Sequence, residues 1–184
     1  MSGFDDRGRA GPCRLLGIDL GERRIGIALG DVETRSAAPL RMLSRARTTD
    51  EDARVLTRLA EEQRAGGLIV GLPLNADGSE GPQATRTREW AAAVAKATGL
   101  PLRFRNEHLS SVRAEQRIGN PARGKSGGPP SAAQRGAHRA RIDREAAALI
   151  LQDELDAMAG MGEVRPPVEV PPHGEVRVAE RGTS

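Results

Sequence analysis

The spacing of apolar positions changes several times along the chain and predicts a succession of strands and helices. Two short apolar runs, over residues 15–20 and 25–29, are separated by a hairpin-length connection that contains Gly21. A third run, over residues 37–43, contains Pro39, which a strand tolerates only at the edge of a sheet. These three runs predict an antiparallel meander.

Helical and strand-like patterns then alternate. Thr48 followed by Glu51 is a capping-box pattern that begins a helix, and a glycine pair ends it. The wholly apolar run "GLIVGL" is typical of a strand covered on both faces. A helix over residues 82–98, a strand over 102–106, a short helix and a long final helix follow. The order predicts an α/β fold with a mixed five-stranded sheet, antiparallel hairpin strands followed by parallel strands, and helices on both faces.

The length of 184 residues suits a single domain. We expect this domain to span residues 14–160. Residues 120–136 are rich in Gly, Pro, Ser and basic side chains, which predicts a flexible basic loop within it. Residues 1–13 are expected to be a flexible amino terminus, and the Pro-rich residues 161–184 a disordered tail.

Composition narrows the class of protein. No apolar run approaches the roughly 20 residues of a membrane helix, and the amino end lacks the apolar core of a secretory signal, so we expect a cytoplasmic protein without a membrane partner. A single cysteine, Cys13, excludes an internal disulfide, and the three histidines lack zinc-ligand spacing. Residues 113–144 carry eight basic and two acidic side chains, which suits either a polyanion such as nucleic acid or a solvated Arg-rich surface.

Three acidic residues stand at positions where a carboxylate needs compensation. Alternation along the first strand places Asp19 on the face opposite Leu16 and Ile18, where an unpaired charge inside a covered sheet is unfavourable. Glu107 follows the strand over residues 102–106, at the strand end where α/β sheets bind ligands. Asp143 is expected to begin the last helix, on its apolar stripe. A hard cation such as Mg²⁺, which prefers oxygen ligands, would reconcile three converging acids.

Each acid also has a simpler explanation. Asp19 could pair with Arg23 or Arg24, Glu107 with Arg105, and Asp143 could favour a helix amino end, where the macrodipole stabilises negative charge. A shared site accounts for all three positions at once and is the interpretation that we favour.

Four segments resemble a known family: "GIDLGERRIGIALGD", "IVGLPLNADGSEGPQA", "NEHLSS" and "DREAAALILQDELD". In this order they are similar to segments of the YqgF/RuvX family of ribonuclease H-like proteins, described as Holliday junction resolvases and as nucleases that process the precursor of 16S rRNA. The resemblance covers residues 15–156. It implies a ribonuclease H-like fold, a hydrolase of phosphodiester bonds, and catalytic, metal-binding acids at Asp19, Glu107 and Asp143. Two Mg²⁺ or Mn²⁺ ions would be the cofactors, and precursor rRNA or branched DNA the partner, with a homodimer as a candidate assembly.

The sequence departs from the family at its third motif. The family usually has Asp-Glu-Arg, whereas this chain has Asn106, Glu107 and His108. An accessory acid is lost, and a fixed cation is replaced by a histidine that is mostly neutral at pH 7. We therefore expect weaker or pH-dependent activity.

Several further residues are candidates for binding substrate. Gly71 lets the backbone approach a ligand, and Asn75 and Asp77 of the following loop could contact it, although Asn and Asp are also ordinary turn residues. Arg139, Arg141 and the flexible basic loop are expected to contact phosphates flanking the cleaved bond, and His108 is a further candidate for binding substrate.

Other functions are compatible with parts of the sequence. "GIDLG" followed by "IGIAL" also resembles the phosphate motif of actin-like ATPases and sugar kinases, but those proteins need a second large domain for which this chain is too short. A non-catalytic RNA-binding assembly factor is a second alternative. Within the nuclease interpretation, RNA and four-way DNA both stay open, because the metals act on the same phosphodiester in either polymer.

Overall fold

A computed structural model of the protein describes residues 14–107, 110–121 and 129–159. The strands and helices within these ranges are β1 Arg14–Leu20, β2 Arg24–Asp31, β3 Ser36–Ser44, α1 Thr49–Gln63, β4 Leu68–Leu72, α2 Pro82–Thr98, β5 Leu102–Asn106, α3 Ser110–Ile118 and α4 Ala132–Ala159. The strands form one sheet in the order β3-β2-β1-β4-β5. Strands β1, β2 and β3 pair antiparallel, and β4 and β5 run parallel to β1. The predicted mixed five-stranded sheet is confirmed.

The two faces of the sheet are covered by different helices, as the alternation along β1 predicts. Leu16 and Ile18 pack with α1 and α2 on one face. Leu15 packs with Ile69 of β4 against α4 on the other face. Helix α3 packs against α4 rather than against the sheet. Asp19 shares its strand parity with Leu15, so it lies on the face that α4 covers.

Local signals in the sequence place several element boundaries. The Thr48 hydroxyl accepts a hydrogen bond from the Glu51 backbone N–H at 3.3 Å, which confirms the cap of α1. Helix α2 ends at Gly99, whose φ of 68° is left-handed. Pro39 lies in the edge strand β3, beside a β-bulge in the pairing with β2.

Helix α4 lies unusually close to the centre of the sheet because glycines face it. A Cβ atom on Gly26 of β2 would lie 2.0 Å from the backbone oxygen of Asp143. A Cβ on Gly17 of β1 would lie 2.7 Å from the Cβ of Leu151, and one on Gly30 would lie 2.8 Å from the Cδ2 of the same leucine. The three glycines therefore form a shallow track that holds the helix axis near β1 and β2.

Helix α4 is longer than the sequence pattern suggests. It begins at Ala132, so Asp143 lies well inside the helix and not at its start, and residues 132–136 of the predicted loop are helical. Ser131 and Gln134 form a reciprocal cap, in which each backbone N–H donates to the other side chain. The sequence prediction missed this Ser-x-x-Gln cap, because Gly136 and the preceding prolines are typical of a loop.

Some predictions fall on residues outside the described ranges. These are the amino-terminal segment 1–13, the tail 161–184, the part of the basic loop at residues 122–128, and His108. Of the helices that the structure does describe, none combines the length and the apolarity needed to cross a membrane.

Candidate active site

Asp19 and Glu107 meet at the carboxyl ends of β1 and β5. Asp19, near the end of β1, is only 8% exposed. Glu107 directly follows β5, and its backbone N–H donates to the carbonyl of Leu72 at 3.0 Å, which fixes it beside the end of β4. The two side chains are hydrogen-bonded to each other. Glu107 also lies over Gly71, where a Cβ atom would be 3.3 Å from its Oε2. The sequence prediction that these two acids converge agrees with this geometry.

The environment of the pair favours protonation. Burial and, to a lesser extent, the nearby charge of Asp143 raise the pKa of Asp19 to about 6. Burial and the charge of Asp19 raise the pKa of Glu107 to about 8. The shared hydrogen bond lowers the pKa of Asp19 and raises that of Glu107, so Glu107 carries the proton and donates a hydrogen bond to the Asp19 carboxylate. Without a bound cation the pair therefore keeps one shared proton at neutral pH.

Asp143 is close enough to influence Asp19 but is paired elsewhere. Arg24, the first residue of β2, donates from Nε to Asp143 Oδ2 at 2.8 Å. Arg24 was considered as a partner of Asp19, and the structure instead pairs it with Asp143. Arg105, the partner considered for Glu107, binds Glu154. The structure thus pairs neither Arg24 with Asp19 nor Arg105 with Glu107, and the explanation of Asp143 by a helix amino end is wrong, because Asp143 lies inside α4.

The carboxylate oxygens of Asp19 and Glu107 are suitable ligands for a divalent ion. Within residues 14–107, 110–121 and 129–159, no three His, Cys, Asp or Glu side chains are grouped closely enough to hold a metal ion as they stand. Asp19 and Glu107 nevertheless present carboxylate oxygens to one buried point, and oxygen is the donor that Mg²⁺ and Mn²⁺ prefer. The pair fits one hard cation. Asp143 could join it only after its carboxylate leaves Arg24.

The loop that follows β4 is stabilised by its own polar side chains. Asn75 donates from its backbone to the Ser79 carbonyl and from Nδ2 to the Ser79 hydroxyl, both at 2.9 Å. Asp77 Oδ1 accepts from the backbone N–H of Ser79 at 2.9 Å and from its hydroxyl, and these bonds hold the pKa of Asp77 below its usual value. Both residues act here as turn residues. A role in binding substrate stays a prediction for them.

Two of the basic candidates lie on α4. Arg139 is one helical turn before Asp143, and its charge lowers the pKa of Asp19, so it lies near the acids. Its Nη1 is also 3.4 Å from Glu115 Oε1 on α3. Arg141 is exposed on the same helix. Both side chains are exposed, and a role in binding phosphates stays a prediction for them.

One buried charge next to the site was missed in the sequence. Glu154 on α4 is 3% exposed and binds Arg103 and Arg105 of β5. Alternation places these two arginines on the same strand face as Glu107. Glu154 continues the helical stripe that includes Asp143, so the spacing of the stripe could have revealed it. This ion-pair cluster fixes the end of β5 from which Glu107 emerges.

The fold and the site together define a class. A mixed sheet in the order β3-β2-β1-β4-β5, with an acid on the central strand and a long helix over it, is the ribonuclease H-like arrangement of an α/β domain. The chain belongs to the RuvX family, whose model, described as "Holliday junction resolvase", matches residues 13–157. The resemblance seen in the sequence is confirmed.

Relatives of similar length carry a second description. A protein of Anaeromyxobacter sp. (strain Fw109-5) is 43% identical over 143 residues, which cover 78% of this chain and 96% of the relative. A protein of Chelativorans sp. (strain BNC1) is 38% identical over 156 residues, or 85% and 91% of the two chains. Both are named "Putative pre-16S rRNA nuclease". Among solved structures, T. thermophilus RuvC in complex with a Holliday junction substrate has a TM-score of 0.47 and 15% identity, over 80% of this chain and 96% of that chain.

Proposed function

We propose that this protein is a metal-dependent nuclease that hydrolyses phosphodiester bonds in structured nucleic acid, and that it processes the 5′ end of the precursor of 16S rRNA. The observation that carries the proposal is the hydrogen-bonded pair of Asp19, which is buried, and Glu107, which is half-buried, at the carboxyl edge of the sheet. The names of the relatives support the rRNA substrate.

The residues around the pair can be given separate roles. Asp19 and Glu107 would hold the metal, with Asp143 as the third acid. Two Mg²⁺ or Mn²⁺ ions bound there would supply the positive charge that lowers the pKa of an attacking water and stabilises a leaving oxygen. Glu107 must give up the proton that it shares with Asp19 before both carboxylates can act as ligands. Arg139, whose charge acts on Asp19, would bind a phosphate next to the cleaved bond. Such contacts position the strand and read no sequence.

Four-way DNA is a second candidate substrate, since the matching family model is described as a Holliday junction resolvase. Resolution of a junction needs two symmetric cuts, and therefore two copies of the site in a symmetric dimer. Precursor rRNA needs only one site. The substrate and the oligomeric state in solution can therefore be tested together.

The test uses a labelled precursor 16S rRNA fragment and a labelled synthetic junction, each incubated with the purified full chain and Mn²⁺ or Mg²⁺. We expect cleavage of the rRNA that EDTA, Asp19→Asn and Glu107→Gln each abolish. Asp153→Asn, an acid exposed on α4 away from the pair, is the matched control and should cleave normally.

Three results would contradict the proposal in different ways. Paired cuts in the junction by a dimer, with intact rRNA, would favour the resolvase. Binding without cleavage, unchanged by EDTA or by Asp19→Asn, would favour a non-catalytic assembly factor. Cleavage that survives Asp19→Asn would show that the active site lies elsewhere.

A further inference from the structure

We propose that Arg24 is the resident counterion of Asp143, and that its guanidinium competes with a divalent cation for this carboxylate. The inference rests on the proposed metal site at Asp19 and Glu107, and it assigns Arg24 the role of a positioning residue for the third acid. In this view Asp143 alternates between two partners.

The ion pair is more enclosed than the ion pairs that link α3 to α4. The side chains of Arg24 and Asp143 are 33% and 20% exposed. Those of Arg113 and Asp153 are both 45% exposed, and Arg117, which binds Glu145, is 58% exposed. Coulomb attraction is stronger where less water surrounds the charges. The bond from Arg24 therefore opposes release of Asp143 more strongly than a surface pair would.

The backbones on both sides of this bond are held in place. The Asp143 backbone rests directly on Gly26, which lies opposite Asp19 in the pairing of β1 with β2. On the strand side, the Arg24 carbonyl accepts a hydrogen bond from the Gly21 backbone N–H at 2.9 Å, which closes the turn between these strands. Asp143 can therefore change partner by rotating its side chain, while helix α4 stays where it is.

Arg24 and a divalent cation would compete for the carboxylate of Asp143. Without a cation, Asp19 and Glu107 share one hydrogen bond and Asp143 is satisfied by Arg24, so each of the three acids has a partner. The charge of Arg139 acts on Asp19 from a side chain that is 58% exposed and close to Glu115. Arg24, by contrast, is hydrogen-bonded directly to an acid of the site. A divalent ion that recruits Asp143 has to break this bond, so Arg24 should weaken its binding.

The first experiment measures Mn²⁺ binding to the full chain by calorimetry, with wild type, Arg24→Gln and Arg24→Lys. Arg117→Gln is the matched control, because it also removes one positive charge and one ion pair made to an acid of α4. We expect Arg24→Gln to bind Mn²⁺ about five- to tenfold more tightly, as for a coupling between two ligands of one group. Arg24→Lys, which keeps a cation beside Asp143, should resemble wild type, and so should the control.

The second experiment observes the Arg24–Asp143 bond in the wild-type protein, and a variant serves only to assign the resonance. The ¹⁵N resonance of the Arg24 Nε–H, assigned with Arg24→Lys, is followed in EDTA and during titration with Mg²⁺. We expect slow exchange with solvent in EDTA, because the Nε–H donates to Asp143, and fast exchange at saturating Mg²⁺.

The outcomes separate this inference from the proposed function. Mn²⁺ binding that Asp19→Asn abolishes, but that is equal in wild type and Arg24→Gln, would overturn the role of Arg24 and leave the metal site intact. An Nε–H that stays protected at saturating Mg²⁺ would do the same. If the wild-type protein binds no Mn²⁺, or binds it equally after Asp19→Asn, the metal site and the inference both fail.

Discussion

Replacing Gly26 by alanine tests whether the glycine track sets the position of the third acid. The added Cβ would lie 2.0 Å from the Asp143 carbonyl oxygen and 2.5 Å from its carbonyl carbon, and both are backbone atoms of α4. Neither can rotate away. Ordinary contact at about 3.5 Å requires the helix or the strand to move by about 1.5 Å.

The size of the effect follows from this displacement. Overpacking of a core typically lowers the free energy of unfolding by about 1–3 kcal/mol, and a rigid backbone contact should lie at the upper end. A shift of about 1 Å in a catalytic group can reduce a rate by about 100-fold. We expect Gly26→Ala to lose about 3 kcal/mol in urea denaturation, and to cleave rRNA about 100 times more slowly at saturating Mn²⁺.

Two other glycines provide a graded comparison. Gly30→Ala meets the end of a leucine side chain, which can rotate, so its effect should be smaller. Gly136→Ala, on α4, meets nothing within 4 Å and should leave the stability unchanged or raise it by up to about 1 kcal/mol. If Gly26→Ala unfolds at the same urea concentration as Gly136→Ala and cleaves at the wild-type rate, the close contact between β2 and α4 does not exist in solution.

Three further predictions concern charge. In EDTA, the free energy of unfolding should fall as the pH rises from about 4 to about 8. The folded protein keeps protons on Asp19 and Glu107, whose pKa values are about 6 and about 8, whereas the unfolded chain releases these protons near pH 3.8 and 4.5. Urea titrations should show a smaller fall for Glu107→Gln and for wild type in Mg²⁺, and an equal fall would contradict this assignment of the protons. Glu154→Gln, which leaves two partly buried arginines without their carboxylate, should lower the unfolding free energy by about 1–3 kcal/mol, against less than about 0.5 kcal/mol for the exposed Asp153→Asn. Asn106→Asp should leave Mn²⁺ affinity within about threefold of wild type in calorimetry, whereas a tenfold gain would show that an acid at this position reaches the metal.

The architecture was predictable because each element carries its own local signal. The alternation of Leu16 and Ile18 with Asp19 predicts which face of β1 the acid occupies, and the packing of α1, α2 and α4 agrees. The cap at Thr48 and the left-handed Gly99 mark helix ends that need no tertiary information. Patterns with a period of two or of 3.6 residues report burial directly, which is why they identify the sheet and its covering helices.

The partners of the acids were harder to predict, because long-range pairing leaves no periodic trace. Arg24 and Asp143 are 119 residues apart, and only the close approach at Gly26 brings them together. The sequence offered Arg24 to Asp19 because the two are neighbours in the chain. In the fold, Asp19 is hydrogen-bonded to Glu107, and Arg24 pairs instead with Asp143 of helix α4, which covers the sheet.

The alternation of side chains along β5 also shows where Asn106, the residue that departs from the family motif, projects. Phe104 packs with the core under α1 and α2, whereas Arg105 binds Glu154 on the α4 side. Asn106 has the parity of Phe104, so it projects toward the face opposite Glu107 and Asp19. An acid at this position would therefore add its charge on the face of the sheet that α1 and α2 cover. From there it can change the electrostatic potential at the site but cannot bind the same metal ion as Glu107. The residue that keeps the chemistry of the motif is Glu107, which the turn after β5 carries back over Gly71 to the buried carboxylate of Asp19.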